Sequence, residues 1–151
     1  MRAADGHVAE VRSMAVVGPH ALGDTMMTLP ALRALRVAYP DAQIVYVGRR
    51  WHASFFRDRP GPIDAVSVLP DDVDPGAAVP AGRPPVHELI RHDRGGEPFD
   101  IAVQLYGGGA HANPFVRALG ARVSIEVRAA GARPLNVSAQ KGNFFFHSHF
   151  S

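Results

Sequence analysis

Ser13–Tyr39, SMAVVGPHALGDTMMTLPALRALRVAY, decides the fold. Met14-Ala15-Val16-Val17 is a short apolar run with two β-branched residues, the pattern of a strand covered on both faces. Gly18 and Pro19 stop it. Apolar residues then recur at Leu22, Met26, Leu29, Leu32, Leu35 and Tyr39. Spacings of three and four put them on one face of a helix. Pro30 falls inside that pattern and predicts a kink or an irregular first turn. Gly23 and Asp24 sit where strand becomes helix. In open α/β sheets ligands bind at that end of the strand.

The same alternation continues outward. Residues 1–12 read as a flexible lead-in. Pro40-Asp41 makes a turn, and Gln43–Val47 (QIVYV) is a second strand rich in β-branched and aromatic residues. Trp51–Arg57 forms a short helix, and Ala65–Leu69 is a third strand. Residues 70–85, PDDVDPGAAVPAGRPP, carry five prolines and predict a surface loop or mobile excursion. Val86–His92 is a short helix and Phe99–Leu105 (FDIAVQL) a fourth strand. Gly107-Gly108-Gly109 is its turn. Ala110–Leu119 is a helix with Gly120 as its stop, and Arg122–Val127 is a fifth strand. Strand and helix alternating in this way predict an α/β fold, a Rossmann-like doubly wound parallel sheet.

Composition sets bounds. The 151 residues suit one domain with a real core. There are no cysteines, which excludes disulfides and cysteine-metal sites. The opening MRAADGHVAEVRS lacks the apolar stretch of a signal peptide, and no apolar run reaches the roughly 18 residues of a membrane span. The expectation is a cytoplasmic protein. A formal charge of +2 with scattered arginines argues against nucleic acid as a partner. From about Asn136 onward the character changes: the only lysine is Lys141, and the last acidic residue is already past at Glu126. Residues 136–151 therefore read as an atypical tail.

Four features could carry chemistry. Asp24 reads first as a helix N-cap, its carboxylate accepting a backbone N–H, with the alternative of a general base whose charge the helix N-terminus favours. Both roles can hold together. Gly107-Gly108-Gly109 reads as a tight turn with positive φ, or as a place where backbone approaches an anionic or sugar ligand. Arg49-Arg50 is a solvated loop or a phosphate contact on Asp24's side of the sheet. Among the eight histidines, His20, His52 and His111 fall near strand ends, but none has metal-ligand spacing, so no metal is expected. His111 reads as a surface residue that could reach a ligand. The first turn carries neither GxGxxG nor a P-loop.

Taken together, ALGDTMMTLPALRALRVAYPDAQIVYVGR, FDIAVQLYGGGAHANPFVRALGARV and Arg133-Pro134-Leu135 resemble the N-terminal half of family 9 glycosyltransferases, the ADP-heptose:lipopolysaccharide heptosyltransferases and their relatives. The resemblance runs from about Met14 to Leu135. It implies residues 13–135 as the N-terminal, acceptor-holding domain of a GT-B fold. A second Rossmann-like domain would bind a nucleotide-sugar donor such as ADP-heptose. It implies inverting transfer to a glycan or glycolipid hydroxyl without metal or cofactor, with Asp24 as general base. It places His20, Leu22, Gly23, Thr25, Arg49, Gly107, Gly108, Gly109, His111 and Asn113 around the acceptor, and allows peripheral contact with the inner membrane.

The sequence departs from the pattern in two ways. Gly18 and His20 stand where many relatives have a basic residue and a glycine. After Leu135 no second Rossmann unit follows, so a truncated gene or a frameshift is expected, and the chain alone should be inactive. A separate donor-domain chain could complete it; otherwise it is a non-catalytic carbohydrate-binding module. A nucleotide-binding oxidoreductase fragment fits less well, because Val47-Gly48-Arg49 offers no acidic residue at the end of the second strand.

Overall fold

The computed structural model describes residues 8–78, 81–82, 85–107, 109–127 and 143–146. Ten elements follow in chain order: β1 (Ser13–Val17), α1 (Leu22–Ala38), β2 (Gln43–Gly48), α2 (Arg50–Arg57), β3 (Ala65–Val68), α3 (Val86–Asp93), β4 (Ile101–Gln104), α4 (Ala112–Ala118), β5 (Val123–Val127) and β6 (Asn143–Phe146). All strand pairs are parallel, in the order β3-β2-β1-β4-β5-β6. The predicted α/β Rossmann-like sheet is the fold observed. The central strand β1 lies between β2 and β4, with Met14 opposite both Ile44 and Ile101.

Strand alternation sends side chains to two separate layers. Met14, Val16, Ile44, Tyr46, Ile101 and Val103 face one layer, where Leu29, Leu32 and Leu35 of α1 and Phe56 of α2 cover them. Ala15, Val17, Val45, Val47 and Ala102 face the other, under Val86 and Ile90 of α3, Phe115 and Val116 of α4, and Leu119 just after it. The sheet is thus wound on both faces. This is why β1 is buried at all five positions and reads as an unbroken apolar run.

Several expectations change. Within the compositionally atypical tail, Asn143–Phe146 adds a sixth parallel strand that the sequence reading does not anticipate, with Phe144 opposite Ile125. A phenylalanine run satisfies β-propensity whatever the origin of its composition. The lead-in is held from Val8 onward: its N–H donates to the Tyr39 hydroxyl at 3.0 Å. Asp100 accepts from the Arg12 and Ser13 amides at 2.8 and 3.1 Å. The proline-rich loop is only partly an excursion, because Val73 is buried in the core. Pro30 leaves α1 continuous through Ala38.

The buried face of α1 is narrower than its sequence pattern. Leu32 is fully buried, and Leu29, Leu35 and Tyr39 pack beside it. Leu22 and Met26 are 56% and 46% exposed. The apolar pattern of the helix thus runs on into its first turn, beyond the residues that pack on the core.

Candidate functional site at the carboxyl edge of the sheet

Strand order reverses between β1 and β4, and the crevice above their carboxyl ends is where such sheets bind ligands. One wall is the β1–α1 loop, Gly18–Ala21. Its backbone carbonyl at Pro19 is the hub of the site. The Tyr46 hydroxyl donates to it at 2.9 Å, and Nε2 of His52 lies 3.1 Å away. The Thr25 hydroxyl approaches it at 3.0 Å and the Ala21 carbonyl at 2.8 Å. Burial pushes the Tyr46 hydroxyl up to about 12, so it remains a donor.

His52 has one assignable tautomer. Its Nδ1 accepts the Arg49 amide at 2.8 Å, so the proton sits on Nε2, which points at the Pro19 carbonyl and at Thr25 Oγ1, 3.1 Å away. This is half of a capping box for α2, with histidine in the place usually taken by Glu or Gln. Trp51 stacks on the ring at 3.8 Å between centroids. His52 is fully buried, and burial lowers its pKa to about 4, partly opposed by its bonds to the Pro19 and Arg49 backbone. The glycines on either side follow from this packing. A Cβ on Gly18 would overlap the Tyr46 hydroxyl, and one on Gly48 would crowd His52 Nδ1 and the Tyr46 ring.

A buried neutral histidine makes stability depend on pH. As the pH falls below about 6.5 the unfolded chain takes up a proton that folded His52 refuses until about pH 4. Stability is therefore lost as pH falls through that window, by about 2 kcal/mol between pH 7 and pH 5. His20 is shifted in the same direction by burial and by Arg49, and adds to the loss. Urea unfolding at the two pH values measures it. The His52→Gln variant should lose clearly less between them, and an equal loss in both proteins would exclude the neutral, buried imidazole.

The sequence-selected residues divide into those facing the crevice and those building its wall. Asp24 is exposed in the first turn of α1, three residues after the N-cap Ala21. It is therefore not the cap, and α1 has no side-chain cap at all. It makes no hydrogen bond or ion pair among the described residues. Its charge is felt across the crevice, where it helps burial and Asp74 to raise the Tyr106 pKa. Leu22 and Gly23 are exposed beside it, and a Cβ at Gly23 would meet nothing within 4 Å. Thr25 is fully buried with its hydroxyl engaged, so it acts on a ligand only through the loop it holds.

Arg49 and His20 are joined. The Arg49 Nε donates to His20 Nδ1 at 3.1 Å, and its Nη1 donates to the Pro70 and Asp71 carbonyls at 2.9 and 3.0 Å. Most of the guanidinium is thus committed to fastening the β3 end to the β1 loop. The Trp51 indole N–H donates to the His20 carbonyl at 3.0 Å. His20 lies 6.5 Å from the His52 ring and 4.9 Å from the Tyr106 ring, so these two histidines do approach at the strand ends.

The opposite wall is the β4–α4 turn. Gln104 fixes it by donating to the Tyr106 carbonyl at 2.9 Å and accepting the Tyr106 amide at 3.1 Å. Gly107 and Gly109 have φ of 59° and 80°, the left-handed geometry expected of the turn; Gly108 lies outside the described residues. Asn113 packs against Gly109, where a Cβ would crowd its amide, and its buried Oδ1 has no partner among the described residues. His111 is the exposed N-cap residue of α4 and makes no side-chain cap.

Sequence reasoning missed Tyr46, Asp74 and Tyr106 as parts of this site, and it weighed His52 only as a metal ligand. Asp74 returns from the proline-rich loop and accepts the Gly76 amide at 2.8 Å. Burial works to raise its carboxyl, but Gly76, Tyr106, His20 and Arg49 outweigh it and hold the pKa below the usual value. Among the described residues no group of three or more His, Asp or Glu converges as metal ligands.

Two solved structures are similar to this chain in fold. One is the glycosyl transferase family 9 from Veillonella parvula DSM 2008, with a TM-score of 0.61 and 20% sequence identity over 88% of this chain and 36% of that one. The other is the E. coli ADP-heptose lps heptosyltransferase II, with a TM-score of 0.55 and 20% identity over 76% of this chain and 30% of that one. The fold is one found in glycosyltransferases. The chain spans about a third of the length of these two structures. No protein family and no curated protein matches the sequence itself.

Proposed function

We propose that this chain is the acceptor-side domain of an inverting glycosyltransferase of the GT-B type. The observation that carries the reading is Asp24: an exposed carboxylate at the switch-point crevice, in the first turn of the helix after β1, on a fold shared with family 9 enzymes. The acceptor is a glycan or glycolipid hydroxyl lying between the β1–α1 and β4–α4 loops. The donor is a nucleotide sugar of the ADP-heptose kind, bound by a second domain supplied in the same polypeptide or by a partner chain. The protein would act in the cytoplasm, at the inner face of the membrane, in lipopolysaccharide-type assembly.

The chemistry needs no group beyond those residues and the two substrates. Asp24 accepts the proton of the acceptor hydroxyl as that oxygen attacks the anomeric carbon. The bond from that carbon to the nucleotide diphosphate breaks, and the diphosphate leaves with the electron pair, so the configuration inverts. The held loop matters because Asp24 must stay within hydrogen-bond reach of the hydroxyl. Tyr106 and Asp74 face the same crevice and offer hydroxyl and carboxylate contacts to a polyhydroxylated ligand.

Transfer from ADP-heptose, followed as ADP release, tests the reading. The chain alone should give no turnover, because holding donor and acceptor together supplies much of the rate. Adding a donor-binding domain should restore it. Turnover by this chain alone would sink the half-enzyme reading.

A further inference from the structure

Helix α1 begins without local support. Its N-cap is Ala21, a poor cap, and no side chain bonds to the helix start there. Gly23 stands at the second helical position, where glycine weakens a helix, although neither crowding nor a positive φ requires it. At the third position a capping box would place Glu or Gln, reaching back to the N-cap amide. Here that position is Asp24, whose carboxylate is unbonded among the described residues. Ala21, Leu22, Gly23 and Asp24 are all exposed. Such a turn frays unless something else holds it.

The hold comes one residue later and from another helix. Along all of α1 only Thr25 and Leu32 are buried. Leu32 sits in the apolar core, whereas Thr25 is gripped by polar contacts. The Thr25 amide donates to the Ala21 carbonyl at 2.9 Å, and its hydroxyl donates to the same carbonyl at 2.8 Å. That hydroxyl lies 3.1 Å from Nε2 of His52, which also reaches the Pro19 carbonyl. The other ring nitrogen accepts the Arg49 amide at 2.8 Å, where α2 begins. One buried ring thus ties the start of α2 to the β1–α1 loop and to the first turn of α1. Packing alone would be met by an apolar side chain; here both nitrogens are engaged.

We propose that His52 is a positioning residue for Asp24, acting through Thr25. The inference rests on the reading of Asp24 as the general base. A carboxylate bonded back to its own N-cap would be drawn out of the crevice and made a weaker base. An anchor on the neighbouring residue steadies the turn and leaves both carboxylate oxygens free for the acceptor hydroxyl. The missing cap and the buried histidine are then two halves of one arrangement.

Amide hydrogen exchange of the intact chain tests the anchor, with the Leu32 amide, deeper in the same helix, as reference. Thr25→Val and His52→Leu should each speed exchange at Thr25 about tenfold relative to Leu32, the scale of one lost hydrogen bond. Thr25→Ser keeps the hydroxyl, and His52→Gln keeps one acceptor and one donor, so both should return most of the protection. Thr25→Val is nearly isosteric and serves if His52→Leu fails to fold. In the donor-completed protein kcat should fall in the same order, with the acceptor KM nearly constant. Equal acceleration at Thr25 and Leu32 would overturn the proposal, because His52 would then support only the fold as a whole. So would an unchanged kcat in Thr25→Val and His52→Leu while Asp24→Asn is impaired, a result that leaves the base reading standing. Full activity of Asp24→Asn would instead fell the base reading, and the exchange ratios would still decide the anchor.

Discussion

Replacing Asp24 by asparagine is expected to lower sugar transfer by the donor-completed protein about 10²–10⁴-fold, the usual contribution of a positioned general base. The substitution keeps size and shape and removes only the group that receives the proton. Because Asp24 is exposed and unbonded among the described residues, stability should hardly change. The acceptor KM should stay nearly constant while kcat falls, since the proton moves only in the transition state. An independent readout checks the geometry without turnover. The Asp24 charge helps raise the Tyr106 pKa, so the Asn variant should titrate Tyr106 at lower pH than the parent. A variant with full activity would remove Asp24 from the mechanism.

The largest stability effect is expected from Gly18→Ala, at about 3 kcal/mol, or a fall in melting temperature of about 10 °C. A single methyl here overlaps the Tyr46 hydroxyl. The ring cannot retreat, because it is fully buried and flanked by His52 and Phe56 at centroid distances of 4.7 and 5.4 Å. Displacing the hydroxyl strips a donor from the Pro19 carbonyl and loosens the loop that leads to Asp24. Removing the hydroxyl alone would not make room, because the ring atoms Cζ and Cε2 also overlap the new methyl, but pairing Gly18→Ala with Tyr46→Leu removes the ring and should recover part of the loss. If the double variant is less stable than the two single effects summed, the overlap is not the cause. Thermal unfolding of the four proteins in the cycle decides it.

The sequence carries the sheet well and the site unevenly. Strands β1 to β5 and their helices are legible because burial on two faces forces continuous apolar runs, and because glycine marks the turns. The β6 strand was missed because a shift in composition looked like a change of structure. The face of α1 was drawn too wide, since a period of 3.6 locates a stripe but not where the sheet beneath it ends. Within the site, Asp24 and the glycine turn are readable because each follows a strand directly. The Thr25–His52 bond is not, because its partners are 27 residues apart and meet only once β1 and β2 are paired. Asp74 is hidden for the same reason, in a segment whose prolines advertise a loop but not its return.

The position of β1 has a temporal consequence. Among the described strands it is made first, and it lies at the centre of the sheet. Its β2 neighbour emerges soon after it, but β4, its other neighbour, comes after three helices and a proline-rich loop. Throughout that interval one side of this strand, buried at all five positions in the folded sheet, has no partner, and an open strand edge invites pairing with other chains. The nascent protein is thus most vulnerable to aggregation before Ile101–Gln104 has been synthesised, and a chaperone holding that edge would act on β1 rather than on the tail.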